Sequence, residues 1–388
     1  MINLCPDVAG IYFHIPFCRQ ACFYCDFHFS TNLRPREEMV KALNRELVLR
    51  KDYLQNSPIE TIYFGGGTPS VLSRKELQSI FDTLSANFSI AGSAEITLEA
   101  NPDDLTDETL DLYKDIGVNR LSIGIQSFDD AVLRSLNRIH NGTAARTSVL
   151  KAQEKGFDNI SIDLIYAIPQ QDLERWTDNV MEAIQLNPQH ISSYSLTIEE
   201  KTMLGKWEKQ GKFKAADDDF AADQHERLVD LLNDAGFEHY EVSNFAKAGY
   251  RSRHNTSYWL GKNYLGIGPG AHSFNSESRQ YNVRDNRKYI SALSQDLIPS
   301  TVEILTLQEK VNEYLLISLR TSWGIDLAHL RNHFRVNLFE DHVDYIKNLE
   351  KEGLATVTGD MLVLTRKGLL LADEIAVNLL PSGSQLDG

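Results

Sequence analysis

The sequence contains no apolar run approaching the roughly 18 residues that a membrane-spanning helix needs. That excludes an integral helical membrane segment. It is also short of basic residues, with 39 Lys and Arg against 54 Asp and Glu and a formal net charge of −15. A phosphate backbone would be repelled, which excludes a general nucleic-acid binder, so an anionic ligand must find a local basic patch. Only four cysteines are present, Cys5 and a cluster at Cys18, Cys22 and Cys25. This is not the scatter of a secreted disulfide framework, and in a cytosolic chain such a cluster points to metal or redox chemistry. The opening stretch MINLCPDVAG lacks the basic segment and apolar core of a secretory leader. The expected compartment is the cytoplasm. Internal repeats and low-complexity segments are absent too, and 388 residues exceed what one small core fills. A large domain with smaller ones is expected.

Short apolar runs suited to strands recur at 10–15, 61–66, 95–100, 120–127, 159–168 and 190–198, with amphipathic stretches between them. Ser73 and Glu76 form a capping-box pattern, and Gly117, Gly156 and Gly236 stand where helices would stop. Six strand–helix repeats predict an α/β fold with a parallel sheet. Polar residues gather at the strand ends, which favours the active face of a barrel or partial barrel. From about residue 301 the chain reads as helices, then a strand–turn–strand and a final helix, the order of a small winged-helix-like domain. Three parts follow: a barrel over 1–240, a connecting segment over 241–300 and a C-terminal domain over 301–388. The tail PSGSQLDG is expected to be mobile.

Cys18, Cys22 and Cys25 have the spacing C-x3-C-x2-C. A [4Fe–4S] cube takes thiolate ligands, and three from one loop would leave one iron open. Zinc is the rival, with Asp26 or His28 as a fourth ligand. The glycine run in YFGGGTPS, at the next strand end, lets backbone approach a ligand closely.

The series CRQACFYC, GGGTPS, LEANPDD, IQSFDDAVLRSLNR and IDLIYAIPQQ resembles the radical S-adenosylmethionine (SAM) superfamily. It is similar in particular to the branch holding the oxygen-independent coproporphyrinogen III oxidases and the HemW haem chaperones. The likeness covers nearly the whole chain. It implies a partial (β/α)6 barrel, with Cys18, Cys22 and Cys25 on the cluster and SAM on the open iron. It also implies SAM contacts at Tyr12, Tyr24, Gly66, Gly67, Thr68, Glu99, Gln126, Arg138 and Asp163, the glycines and Thr68 holding the methionine amino end. Tyr24 stands where the family usually has Phe.

Two functions remain open. One is an enzyme, the oxidase, which decarboxylates porphyrinogen propionates. The other, favoured here, is a chaperone that binds haem and hands it to acceptor haem proteins, including membrane-bound ones met at the membrane surface without an anchor. The oxidases typically carry a further cysteine two places after the third; here Phe27 stands there. They also tend to have a longer segment before the loop. RHNTSYW, 253–259, matches the H-N-x-x-Y-W motif associated with haem in HemW-like proteins. His254 offers an imidazole, and Tyr258 and Trp259 offer flat faces for a macrocycle. Residues 247–276 contain no Asp or Glu, so Arg251, Arg253 and Lys262 are candidates to meet propionates. GIGPGAHSF, 266–274, looks like a dinucleotide loop but lacks a following helical pattern, so it is expected to let backbone pass close to the barrel mouth. Cys5 has no assigned role.

Overall fold

The computed structural model describes residues 8–169 and 171–381. Six strands, β1 (Ala9–Ile15), β2 (Ile59–Gly66), β3 (Ile90–Ala100), β4 (Arg120–Gln126), β5 (Ile160–Tyr166) and β6 (His190–Ser195), lie side by side in chain order. Every adjacent pair is parallel. All six expected strands are present. The crossovers carry α1 (Arg36–Leu49), α2 (Arg74–Asn87), α3 (Asp107–Asp115), α4 (Asp130–Ser135), α5 (Gly142–Glu154) and α6 (Leu173–Gln185). The Ser73–Glu76 box opens α2 with both reciprocal hydrogen bonds formed, an arrangement worth about 0.5–2 kcal/mol at a helix start. Gly117, Gly156 and Gly236 adopt φ of +90°, +78° and +82°, the left-handed turn that ends a helix.

Side chains alternate between the two faces of these strands. One face is apolar: Ile11, Phe13, Ile62, Phe64, Leu121 and Ile162 are buried in the main core. The other carries Thr61 and Tyr63, then Glu95, Thr97 and Glu99, then Arg120 and Ser122, then Ser161 and Asp163. Parallel strands covered on both sides normally read as continuous apolar runs. Here the helices cover the apolar face, and the polar face turns inward as the wall of a polar chamber.

The sheet stays open. On one side β6 pairs antiparallel with β8 (Asn244–Ala246), which pairs with β7 (Glu238–Glu241). On the other side β1 pairs with β9 (Tyr264–Ile267), followed by β10 (His272–Phe274), β11 (Ser278–Asn282) and β12 (Ser300–Ile304). The segment expected to connect the domains therefore extends both edges of the sheet. The loop between β9 and β10 passes close to β1: a Cβ on Gly268 would lie 2.4 Å from the His14 carbonyl oxygen. This agrees with the expected role of the glycine-rich stretch.

The C-terminal domain has its own core, built on Leu315, Leu330, Ile346 and Leu362 among others. The expected two-stranded wing, β14 (Ala355–Thr358) and β15 (Met361–Leu364), gains a third strand, β13 (Ile325–Asp326), along β15. Cys5 and residues 382–388 of the tail lie outside the described residues.

Candidate functional site

The cysteine loop leaves β1 and is tied at both ends. Cys18 N–H donates to the Ser30 carbonyl at 3.1 Å and Ser30 N–H to the Pro16 carbonyl at 2.9 Å. The end of β2 closes beneath it: Gly67 N–H donates to the Ile15 carbonyl at 2.9 Å and Thr68 N–H to the Phe17 carbonyl at 2.7 Å. A Cβ on Gly67 would lie 2.7 Å from both carbonyl oxygens, so only glycine fits. The glycine run thus serves first to bring one stretch of backbone against another. Gly66 N–H donates to Glu99 at 3.2 Å. With both amides engaged, the carbonyl oxygens of Gly66 and Gly67 are the backbone groups left to meet a ligand without breaking a hydrogen bond.

Cys18, Cys22 and Cys25 are free thiols, each half-buried. The Thr68 hydroxyl donates to Cys18 Sγ at 3.4 Å, and Arg138 Nη1 donates to Cys22 Sγ at 3.4 Å. Burial, with repulsion from the neighbouring thiols, pushes Cys18 up to about 12 and Cys25 up to about 11. Three thiolates here need a cationic partner beyond one arginine, and the donor set fits an iron–sulfur cube. For zinc the picture is less suitable. His28 Nε2 is held by Asn286 Oδ1 at 2.7 Å. Among the described residues no three His, Cys, Asp or Glu side chains converge as a single ion requires. A cube, whose ligands bind separate irons, does not need that convergence.

Above the loop, Arg138 Nη2 donates to Asn101 Oδ1 and to the Gly124 carbonyl, each at 2.7 Å. Glu99 accepts from the Tyr63 hydroxyl at 2.8 Å, and Asp163 from the Ser122 hydroxyl at 3.2 Å. Burial raises Glu99 to about 7 and Asp163 to about 6. Gln126 ends β4 at a left-handed φ of +70°. Tyr24 packs on Val132, Leu136, Ile165 and Ile168. Sequence reading missed Arg120, which is 1% exposed. Its Nε and Nη1 have no hydrogen-bond partner among the described residues. A buried cation with two unpartnered nitrogens marks a place where acceptors belong. The period-two polar alternation of β3 and β4 was the signal for it.

A second space lies beside this chamber. A cavity of about 1120 Å³ is lined by Tyr12, Phe27, Tyr258 and Trp259 on the sheet side and by Tyr314 and Trp323 of the C-terminal domain. Phe27 is 70% exposed and reaches the cavity from the cysteine loop. The Tyr12 hydroxyl lies 3.3 Å from His14 Nδ1. The structure divides the RHNTSYW stretch. Tyr258 and Trp259 face the cavity, whereas His254 is 1% exposed and lies in the core. Its Nδ1 bonds the Thr61 hydroxyl and its Nε2 the Tyr258 hydroxyl, both at 2.8 Å. Burial lowers His254 to about 3. Neither ring nitrogen is left for an iron, in contrast to the sequence assignment. The basic island is also neutralised from outside its own segment. Arg251 pairs with Glu238 at 3.1 Å, and Arg253 and Lys262 each lie 3.6 Å from Glu60.

Comparison with known proteins agrees with this architecture. Residues 12–181 match the radical SAM superfamily, and residues 305–371 match the HemN C-terminal domain. The structure resembles that of coproporphyrinogen III oxidase (HemN) from Escherichia coli, a radical SAM enzyme, with a TM-score of 0.82 at 24% identity over 96% of this chain and 90% of that one. The fold is that of a radical SAM protein. The heme chaperone HemW of Bacillus subtilis is 34% identical over 372 residues, 95% of this chain and 98% of its own. The Escherichia coli heme chaperone HemW is 40% identical over 274 residues, 70% of this chain and 71% of its own. The mouse mitochondrial radical S-adenosyl methionine domain-containing protein 1 is 33% identical over 390 residues, 96% of this chain and 87% of its own. The chain belongs to the HemW family.

Proposed function

We propose that this chain is a cytoplasmic haem chaperone. It takes haem into the cavity beside the cysteine loop and passes it to acceptor haem proteins, some of them at the membrane. Cys18, Cys22 and Cys25 hold a [4Fe–4S] cluster, and the polar chamber holds SAM. When bound, the cluster and SAM supply one-electron chemistry at the open iron. Thr68 and Arg138 offset thiolate charge through their hydrogen bonds to Cys18 and Cys22. Arg138 also fixes Asn101. Glu99 and Asp163 offer buried carboxylates to hydroxyl or cationic groups, and Tyr12, Tyr24, Gly66, Gly67 and Gln126 border the same ligand.

The observation that carries the haem reading is the cavity itself. Its volume of about 1120 Å³ exceeds the roughly 300–1,000 Å³ of ordinary small-molecule sites. Tyr258 and Trp259 line one wall, and Phe27 and His28 bring the cysteine loop to the same space. A flat macrocycle there would touch both, so the state of the cluster loop could govern its release. The test is a haem titration of the anaerobically reconstituted protein, followed in the Soret region. Saturable binding is expected, weakened about tenfold or more by Trp259→Ala, equivalent to about 1.4 kcal/mol. Failure to saturate would remove the haem reading.

A further inference from the structure

An iron porphyrin in the cavity needs an axial ligand, and His254 has none to give. Five other histidines line the space: His14, His28, His272, His329 and His333. His14 has both ring nitrogens engaged, Nε2 by the His28 carbonyl at 2.8 Å and Nδ1 by the Tyr12 hydroxyl at 3.3 Å. His28 is tied through Nε2 to Asn286 at 2.7 Å and belongs to the cysteine-loop side of the space. His272 stands on β10, on the sheet side that also carries Tyr258 and Trp259. A macrocycle lying on that aromatic wall turns its open axial face toward the other wall.

The other wall belongs to the C-terminal domain. There His329 and His333 lie one turn apart, with ring centroids 4.2 Å apart and planes inclined at 28°. His329 is braced by Tyr314 at 5.0 Å and meets Phe334 edge-on at 5.4 Å. No hydrogen bond among the described residues engages a ring nitrogen of either histidine. The chain between them relaxes into a π-helix at Leu330–Phe334, a distortion that recurs at functional sites. Burial, with the neighbouring His333, lowers His329, which favours the neutral form that ligates iron. Arg284 and Lys310 line the same cavity and suit the propionates.

Resting on the haem reading of the cavity, we propose that the C-terminal domain supplies the axial imidazole, from the stacked pair His329 and His333. The haem then bridges the sheet edge and the C-terminal domain. Release requires the two walls to part, against the Arg279–Glu313 ion pair that joins them.

The test uses the full chain, reconstituted anaerobically and titrated with ferric haem, with Soret absorbance and electron paramagnetic resonance as readouts. The wild type is expected to show imidazole-ligated haem. Combined His329→Gln and His333→Gln should lose that signature and weaken binding about tenfold or more. Added free imidazole should restore the spectrum, with cluster absorbance and circular dichroism unchanged. His254→Gln and His272→Gln should each keep the imidazole signature. A double variant with wild-type spectrum and affinity would overturn the assignment, as would loss of the signature in His254→Gln or His272→Gln alone. A wild type that binds no haem would overturn the cavity reading together with it, an outcome distinct from binding that ignores the pair.

Discussion

His254 Nε2 and the Tyr258 hydroxyl lie 2.8 Å apart, one turn along the helix Arg253–Trp259, and the bond fastens a cavity-lining ring to the core of the sheet. Thr61 holds the other ring nitrogen at 2.8 Å. His254 is therefore a positioning residue. His254→Ala leaves the buried Thr61 hydroxyl and the part-buried Tyr258 hydroxyl without their partner, and the loss at a buried group costs about 1–3 kcal/mol. The variant should show a lower urea midpoint and a haem affinity reduced by less than about tenfold. Abolished haem binding at unchanged stability would contradict this role.

The cysteine loop makes a simpler claim. Cys18→Ser, Cys22→Ser and Cys25→Ser should each bring iron and sulfide to background after anaerobic reconstitution, while the wild type retains about four irons per chain. Unchanged iron in any of the three would place the cluster elsewhere.

Gly67→Ala tests the brace beneath that loop. The added methyl would sit 2.7 Å from the Ile15 and Phe17 carbonyl oxygens, and overpacking of this kind costs about 1–3 kcal/mol. The expected result is a lower melting temperature together with faster loss of iron to a chelator. A cluster as durable as in the wild type would show that the close approach does not matter.

Glu99 predicts a pH dependence. Burial raises it to about 7 in the ligand-free chamber, above its ordinary 4.5. The folded state therefore holds this proton more tightly than the unfolded state does. The burden on stability is absent below the ordinary value, grows as pH rises, and is complete above about 7. Glu99→Gln removes the ionisation and should stabilise the ligand-free protein relative to wild type at about pH 8, with little gain at about pH 5. A ligand bearing a sulfonium and an ammonium favours the carboxylate, so SAM affinity should rise between about pH 6 and 8 in the wild type and flatten in the variant. Melting curves at both pH values and calorimetric titration with SAM check the two halves. Equal pH dependence in the two proteins would exclude Glu99 as the titrating group.

Much of the fold is legible because its signals are local. The six strands follow from short apolar runs, and the start of α2 from the Ser73–Glu76 box. The cysteine spacing and Gly66 to Thr68 likewise name neighbours that the structure does bring together. What escaped depends on distant segments. The acid-free stretch around Arg253 looked unpaired because Glu60 and Glu238 come from other strands. His254 looked available because sequence does not show that Thr61 and Tyr258 hold both its nitrogens. The cavity joins a sheet edge to a separate domain further along the chain, and no local pattern encodes that meeting. Arg120 alone was within reach, since the alternation through Arg120 and Ser122 puts both on the inward face.

The central claim is that this radical SAM scaffold serves haem itself, with no oxidation of its precursor. The most direct measurement gives the reduced, reconstituted protein SAM and coproporphyrinogen III, with a parallel haem titration of the same preparation. Saturable haem binding without release of carbon dioxide is the predicted result. Robust decarboxylation of coproporphyrinogen III would contradict it.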